Sequence, residues 1–261
     1  MKTRVLAGLA MVPLLFIVYG GGVVLTLATA VITGVAVSEF FKGFENMSIK
    51  PSRGVAFISL ILLYAIHFAS PERPMLLTAW IVLSVVMSAL YIFKIEEHKI
   101  EDALATIVGI VYVELFLYHV VLIEESSYPV LKWMVFITAF STDIFAYFTG
   151  YFLGKHKLCP TLSPKKTIEG AVGGTIGTII LSCLFGYFFL NGDWAKMIIL
   201  GAFGAIFAQL GDLTASAFKR KMGIKDYGNL IPGHGGIMDR FDSVIFTAPL
   251  VYYFIEFILV K

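Results

Sequence analysis

Long apolar runs separated by short polar segments dominate the pattern along the chain. A helix rises about 1.5 Å per residue, so runs of about 16 to 24 residues suit the crossing of a hydrocarbon core about 30 Å thick. The pattern predicts nine membrane-spanning helices, of which the first and third are short for that task. The predicted spans are residues 4–20, 23–41, 54–69, 75–93, 104–123, 130–153, 171–190, 196–212 and 243–260.

The first apolar run has an alternative interpretation as a secretory signal peptide. The basic start "MKTR", the apolar run after it and the small residues "ATA" at 28–30 fit that pattern. However, the apolar character continues to Phe41, and no polar mature segment follows the small residues. We therefore interpret residues 5–41 as two spans joined at Gly20, Gly21 and Gly22.

The composition agrees with a membrane protein. Hydrophobic residues make up 58% of the chain and charged residues 15%, whereas a soluble domain carries about 25% charge. The predicted fold is an all-α polytopic integral membrane protein. No linker divides it, so we expect one domain over 1–261, with N-terminal helices in 1–130 and catalytic helices and cytoplasmic loops in 131–261. The spacing of Cys159 and Cys183 fits no metal or redox motif, so both are expected to be free thiols.

The basic residues give an orientation. In the nine-span arrangement, sixteen of the 20 Lys and Arg residues fall on one side. By the positive-inside rule that side is cytoplasmic, which places the N-terminus inside and the C-terminus outside. Both long polar segments, 154–170 and 213–242, then face the cytoplasm.

Three acids flank the second polar segment. Asp239 and Asp242 are three residues apart, so they share one face if the last helix has already begun. Asp212 ends the preceding span, and antiparallel spans bring it near the other two. Converging carboxylates repel one another unless a cation lies between them, which predicts a Mg²⁺ site at Asp212, Asp239 and Asp242. The alternative is stabilisation of a helix N-terminus by negative charge.

A fourth acid, Asp143, lies deep within a predicted span. An acid at that depth usually faces a protein interior or a wet cavity. Either a neighbouring helix satisfies it, or it belongs to a site whose polar lining includes Ser141, Thr142 and Tyr147. The histidines His67 and His119 in apolar runs are expected to be structural. The segment 94–102 is interpreted as a solvated loop without a role.

Two basic clusters accompany the acids. Lys165 and Lys166 precede a glycine-rich helix start, an arrangement typical of phosphate binding, although anionic lipid headgroups and close helix packing are alternatives. Lys219, Arg220, Lys221 and Lys225 precede the turn-forming segment "GNLIPGHGG" at 228–236. Together the acids and bases predict a cytoplasm-facing cavity that holds Mg²⁺ and a polyphosphate and opens toward lipid.

The segment 216–242, "SAFKRKMGIKDYGNLIPGHGGIMDRFD", resembles the signature of the phosphatidate cytidylyltransferase (CDP-diacylglycerol synthase) family. The upstream segments "DIFAY", "GYFLGK" and "LSPKKTIEG" are similar to a second block of that family, with Ile168 where an aromatic residue is more usual. The resemblance is strong over residues 140–250. The first 130 residues resemble the family only as apolar spans.

The resemblance implies transfer of CMP from CTP to phosphatidate, giving CDP-diacylglycerol and pyrophosphate, with Mg²⁺ as cofactor at the three acids named above. The catalytic residues that it implies are Asp143, Lys165, Lys166, Lys219, Arg220 and Arg240. The substrate-binding residues that it implies are Ser163, Thr167, Glu169, Lys225, Asp226, Asn229 and His234.

The expected partners are CTP, phosphatidate and other membrane lipids, with a homodimer as a further expectation and no nucleic acid. The expected location is the inner (plasma) membrane, with the active site facing the cytoplasm. Two alternatives remain at this stage. A CTP-dependent polyprenol kinase shares the substrate chemistry. A secondary transporter explains the spans and Asp143, but not a long polar segment confined to one side.

Overall fold

The computed structural model describes residues 12–70, 73–190, 194–230 and 235–260. Within them the chain is mostly helical. The α-helices are α1 (Val12–Gly20), α2 (Gly22–Glu45), α3 (Arg53–Ala69), α4 (Arg73–Leu90), α5 (Ile100–Gly109), α6 (Phe116–Glu124), α7 (Lys132–Leu153), α8 (Ile168–Phe189), α9 (Trp194–Lys221) and α10 (Met238–Phe254). Short 3₁₀ turns occupy Tyr91–Phe93 and Pro129–Leu131, π-helical turns occupy Ile110–Leu115 and Ile255–Leu259, and the strands are β1 (Lys157–Cys159) and β2 (Ser163–Thr167).

Seven helical segments of the described chain are long and apolar enough to cross a membrane. They correspond to the second and the fourth to ninth predicted spans, while the third predicted span forms the shorter helix α3. The first predicted span is described only from Val12 onward. A helical polytopic membrane protein is therefore confirmed in outline, and the number nine stays a prediction.

The joint between the first two helices lies where the sequence predicts it, because α1 ends at Gly20 and α2 begins at Gly22. Gly21 and Gly22 have φ angles of 59° and 52°, a region that favours glycine. The amide of Gly22 donates to Glu124 Oε1 at 2.6 Å, and Lys132 Nζ lies 2.6 Å from the other oxygen of that carboxylate. This ion pair fixes the turn against the ends of α6 and α7.

The ends of the last two long helices differ from the prediction. Helix α9 continues to Lys221, and α10 begins at Met238, so residues 213–221 and 238–242 are helical rather than loop. The polar side chains at the end of α9 do not interrupt its backbone hydrogen bonds. The helix ends at Lys221, and the φ of 69° at Gly223 allows the Ile224 amide to bond to Lys219 O at 3.0 Å.

The predicted loop 154–170 contains a small antiparallel hairpin of β1 and β2, which departs from the all-α expectation. The Glu169 carboxylate at the start of α8 accepts hydrogen bonds from the amides of Lys155 and His156 at 3.1 and 3.2 Å. Arg220 Nε at the end of α9 donates to Leu162 O in the hairpin turn at 3.4 Å. The hairpin is thus fixed to both α8 and α9.

Glycines allow the second half of the fold to pack closely. A Cβ atom at Gly174 would lie 2.9 Å from Thr142 O, and one at Gly170 would lie 2.8 Å from Ala146 O. These α8 glycines bring α7 against α8, as small residues do in membrane interfaces. A Cβ atom at Gly211 of α9 would lie 2.6 Å from the backbone oxygen of Asp242. The packing role considered for the α8 glycines is confirmed.

Polar residues in the first half of the fold bond to one another. His67 Nδ1 lies 3.0 Å from the Tyr118 hydroxyl, and His119 Nδ1 lies 2.8 Å from Leu115 O, which confirms that both histidines are structural. The interpretation of 94–102 as a solvated loop is wrong at its end, because Asp102 is buried. Its carboxylate accepts the Lys50 amide at 2.6 Å, which ties α5 to the α2–α3 connection.

Candidate active site

A cavity of about 610 Å³ lies between α7, α8, α9 and the hairpin. Its walls combine apolar helix faces with charged and hydroxyl side chains, as ligand pockets do. Six residues that the sequence predicts for the site line it, namely Asp143, Ser163, Lys165, Lys166, Thr167 and Asp212. Three separate chain segments therefore converge on one space.

Asp143 opens into this cavity, although it lies in the middle of α7. Its side chain is exposed and lines the cavity, so the site interpretation of this deep acid is favoured. Ser141 and Thr142 behave differently. Both are buried, and each lies 2.8 Å from Thr178 Oγ1 between α7 and α8. The expectation that they line the site is wrong, whereas Tyr147 does line it.

Asp212 belongs to a polar stripe on α9, not to a helix end. Gln209, Asp212, Ser216 and Lys219 follow at spacings of three, four and three residues, which places them on one helix face. The Ser216 hydroxyl donates to Asp212 Oδ1 at 3.4 Å. Lys166 from β2 forms an ion pair with Asp212 Oδ2. The pair joins the lysine-bearing hairpin to the acid-bearing helix.

Asp239 and Asp242 both lie in the first turn and a half of α10, so the conditional prediction of a shared helix is confirmed. Asp239 is buried and fully bonded. Its Oδ2 accepts the amides of Tyr227 and Gly236 at 2.8 and 3.0 Å, and its Oδ1 lies 2.8 Å from Lys219 Nζ. In this structure the Asp239 carboxylate organises the segment that leads into α10.

Asp242 approaches α9 across Gly211, and its Oδ1 accepts the amide of Ser243 at 2.7 Å. It is close enough to Asp212 and Asp143 for the three carboxylates to interact electrostatically. Lys166, Lys219 and Arg240 supply compensating charge around them. Arg240 Nε is buried and has no hydrogen-bond partner among the described residues.

The predicted metal residues are only partly brought together. Over the described ranges, no group of three His, Cys, Asp or Glu residues is close enough to hold a metal ion by itself. Asp212 and Asp242 come near each other, while Asp239 is bonded to Lys219 and two backbone amides. The assignment of all three acids to one Mg²⁺ therefore stays a prediction.

Tyr227 packs behind Asp239 and is nearly covered. Burial raises the pKa of its phenol, so the hydroxyl stays neutral and donates to Ala215 O at 3.2 Å. Lys219 Nζ lies 5.4 Å from the centre of the Tyr227 ring, within the range of a cation–π contact. Tyr227 thus holds Lys219 beside Asp239.

Several predicted site residues lie away from the cavity. Glu169 accepts hydrogen bonds from the backbone just before β1, and Arg220 is exposed beside the hairpin turn. Lys225, Asp226 and Asn229 are exposed on the segment between α9 and α10. Their predicted contacts with substrate are not tested by this arrangement. His234 lies outside the described residues.

Three residues that line the cavity, and the acid that caps α10 from a distant helix, were not identified from the sequence. Lys157, Tyr151 and Gln209 line the cavity, and Gln209 also donates to Thr175 Oγ1 at 3.2 Å. The polar Gln209, three residues before Asp212 in an apolar run, was a usable signal. Glu39 of α2 accepts a hydrogen bond from the Met238 amide at 2.8 Å, a contact that no local sequence pattern predicts.

The comparisons with known proteins cover nearly the whole chain. The model of the cytidylyltransferase family matches residues 2–258. The chain belongs to the cytidylyltransferase family. A phosphatidate cytidylyltransferase of Staphylococcus aureus (strain COL) is 33% identical over 256 residues, which are 96% of this chain and 97% of that protein.

Further relatives carry the same name. The phosphatidate cytidylyltransferase of Bacillus subtilis (strain 168) is 32% identical over 263 residues, 97% of each chain. That of Staphylococcus saprophyticus is 34% identical over 257 residues, 96% of this chain and 97% of that protein. The similarity therefore extends through the N-terminal helices, which the sequence resemblance reached only as apolar spans.

Proposed function

We propose that this chain transfers CMP from CTP to phosphatidate, forming CDP-diacylglycerol and pyrophosphate. The observation that carries the proposal is the similarity to phosphatidate cytidylyltransferases over 96% of the chain. The cavity suits the reaction, because its acids and lysines lie among helices long and apolar enough to cross a membrane. A soluble nucleotide and a bilayer lipid meet most readily at such a boundary.

The reaction asks the protein for alignment and charge stabilisation. An anionic phosphate oxygen of phosphatidate attacks the α-phosphorus of CTP and forms the new P–O bond. The bond from the α-phosphorus to the bridging oxygen breaks, and pyrophosphate leaves with the electron pair. The nucleophile is already an anion, so it needs no general base. Holding two repelling anions in line is the main requirement.

The basic residues of the cavity meet that requirement. Lys165 and Lys166 enter from β2 directly before the α8 N-terminus, where free amides favour anions. Lys157 adds a third cation on the neighbouring strand. We assign these lysines to the CTP phosphates, and Lys219 and Arg240 to the charge that develops on the leaving group. Asp143 orients the ligand from the depth of the cavity.

The acids fit a magnesium ion. Mg²⁺ binds one or two carboxylates and completes its shell with water and phosphate oxygens. Asp212 and Asp242 come from two helices, and both interact with the third acid Asp143. A bound Mg²⁺ would neutralise part of the negative charge on the pyrophosphate leaving group. Asp212 and Asp242 are its proposed ligands, and Asp239 joins them only if Lys219 releases Oδ1.

The placement in the cell is part of the same proposal. The excess of Lys and Arg on one set of connections supports a cytoplasmic N-terminus and a cytoplasm-facing site in the inner membrane. CTP is available on that side. The proposed homodimer gains no support from the α8 glycines, because Gly170 and Gly174 pack against α7 within the chain.

The experiment is a transfer assay in detergent. The purified chain receives CTP labelled at the α-phosphate, phosphatidate and Mg²⁺, and label is counted in the lipid phase. Label that requires both substrates and disappears with EDTA supports the proposal. A polyprenol kinase would instead transfer the γ-phosphate, which carries no label here, and a transporter would transfer no phosphate, so neither would produce labelled lipid. No α-label in lipid from folded protein would overturn the proposal.

A further inference from the structure

Glu39, near the end of α2, reaches a helix that lies 199 residues later in the chain. Its Oε2 accepts the backbone amide of Met238, the first residue of α10, at 2.8 Å. The first amides of a helix have no partner within the helix, and a nearby negative charge is favourable there. No side chain of the α10 N-cap residue Ile237 satisfies them. Glu39 supplies the missing cap from another part of the fold.

Two glycines make room for this carboxylate. A Cβ atom at Gly228 would lie 2.8 Å from Glu39 Cδ, and a Cβ atom at Gly236 would overlap the same carboxylate. Gly228 and Gly236 lie on either side of residues 231–234, which are outside the described ranges, and their backbone packs against Glu39. Part of the glycine content of this segment is therefore explained by packing around one acid.

A second acid holds the same segment from the other side. Asp239 Oδ2 accepts the amides of Tyr227 and Gly236, which draws the two ends of the segment together. Glu39 and Asp239 are close enough to interact electrostatically. Two like charges at one helix start are costly unless their amide partners and Lys219 hold them in place. The pair therefore defines where α10 begins.

We propose that Glu39 is a positioning residue for CMP transfer. By fixing the first turn of α10, it sets where Arg240 and Asp242 lie relative to the cavity. Glu39 does not line the cavity between α7, α8, α9 and the hairpin; it lines a separate cavity between α2 and α3. It acts through the helix start and not through contact with substrate. The proposal rests on the transfer activity proposed above.

The test compares Glu39→Ala, Glu39→Gln and the matched control Glu45→Ala. Glu45 is an exposed acid on the same helix, and its carboxylate pairs with Arg53. We expect Glu39→Ala to lower kcat by roughly tenfold or more, with a smaller change in the KM for CTP. Glu39→Gln keeps an acceptor for the Met238 amide and is expected to recover to within about threefold of wild type. Glu45→Ala is expected to match wild type.

Amide hydrogen exchange provides the readout that is independent of activity. Exchange of residues 236–242 is expected to accelerate about tenfold or more in Glu39→Ala and to stay near wild type in Glu39→Gln and Glu45→Ala. Unchanged exchange in Glu39→Ala, or faster exchange with unchanged kcat, would overturn the proposal. So would faster exchange throughout the fold, which marks a general folding role. If wild type transferred no CMP, the proposed function would fail, and the exchange result alone would decide whether Glu39 holds α10.

Discussion

Glu114 in the first half of the fold and Asp143 in the second half are both acids within membrane-spanning helices, and they have different surroundings. In the first half, Glu114 lies on a π-helical turn and is 0% exposed, with Ser59 beside its carboxyl group. In the second half, Asp143 opens into the cavity with Asp212 and Lys166 nearby. Both residues are intramembrane acids, but only one has room for a ligand beside it.

Other polar side chains of the two halves differ in the same way: some bond to one another within the helix packing, and others line the cavity. Ser59 and Ser84 lie 3.1 Å apart and Trp80 Nε1 donates to Ser59 O at 2.8 Å, all within the first half. These groups cross-link helices, and the first-half cavity of about 840 Å³ lies elsewhere, between α2 and α3. In the second half, the hairpin places Lys165 and Lys166 in the wall of the cavity. A polar residue in a membrane helix therefore indicates a site only where its neighbours leave a space.

The largest expected effect is the loss of activity in Asp212→Asn. This change removes the partner of Lys166 and a proposed Mg²⁺ ligand, so we expect kcat to fall about 10³-fold in the detergent transfer assay. Glu97→Gln, an exposed acid in the first half, is the control and is expected to match wild type. Full activity of Asp212→Asn at limiting Mg²⁺ would remove the chemical distinction between the halves.

The next test replaces each of the two deep acids, Asp143 and Glu114, by its neutral amide. We expect Asp143→Asn to lower kcat roughly 10- to 100-fold, because the cavity loses a charged group that orients the ligand. Glu114→Gln is expected to keep kcat within about threefold and to keep or raise the Tm, since a neutral amide is less costly to bury than a carboxylate. Parallel transfer assays and thermal melts measure both. A larger loss of kcat in Glu114→Gln than in Asp143→Asn contradicts the comparison.

A smaller effect is expected from packing. Gly174→Ala places a Cβ atom 2.9 Å from Thr142 O, which we expect to cost about 1–3 kcal/mol in stability. Each kcal/mol corresponds to a Tm decrease of about 2–4 °C at this chain length. The first-half control is Gly54→Ala, where nothing lies within 4 Å of the added atom. It is expected to leave the Tm unchanged or slightly higher, and an equal decrease in both variants would refute the packing argument.

The smallest effect is expected at Arg53. Its ion pair with Glu45 is 2.6 Å long, but both side chains are about half exposed. Exposed pairs contribute about 0–1 kcal/mol, so Arg53→Gln is expected to shift the Tm by less than about 2 °C and to leave transfer unchanged. A loss of CMP transfer in this variant would mean that the first half carries substrate-binding charge as well.

The sequence predicts well what local patterns determine. Apolar runs locate the spans, Lys165 and Lys166 do precede a helix N-terminus, and Asp239 and Asp242 do share a helix. The true end of α9 at Lys221 was missed, because charged residues in "FKRK" read as loop although they extend the helix beyond its apolar part. The hairpin was missed because strands of three and five residues carry too little periodic signal.

Contacts between distant segments were beyond sequence reasoning. The bond from Met238 to Glu39 spans 199 residues, and an acid at the end of an apolar run usually marks a membrane interface. Likewise, Asp239 looks like a free metal ligand until its two backbone partners and Lys219 are placed around it. Which acids converge depends on helix packing at Gly211, which only the fold reveals.

The central claim is that CTP binds in the cavity between α7, α8, α9 and the hairpin. The direct measurement is the rate of maleimide alkylation of Ser163→Cys, with Met47→Cys as the exposed first-half control, in a chain carrying Cys159→Ser and Cys183→Ser. Mg·CTP is predicted to slow alkylation at position 163 by about tenfold or more. A ligand that fills a pocket covers the side chains of the pocket wall, so bound CTP would shield the cysteine from maleimide. Alkylation at position 47 is predicted to stay constant. Equal rates at position 163 with and without saturating CTP, in protein that still transfers CMP, would contradict the account.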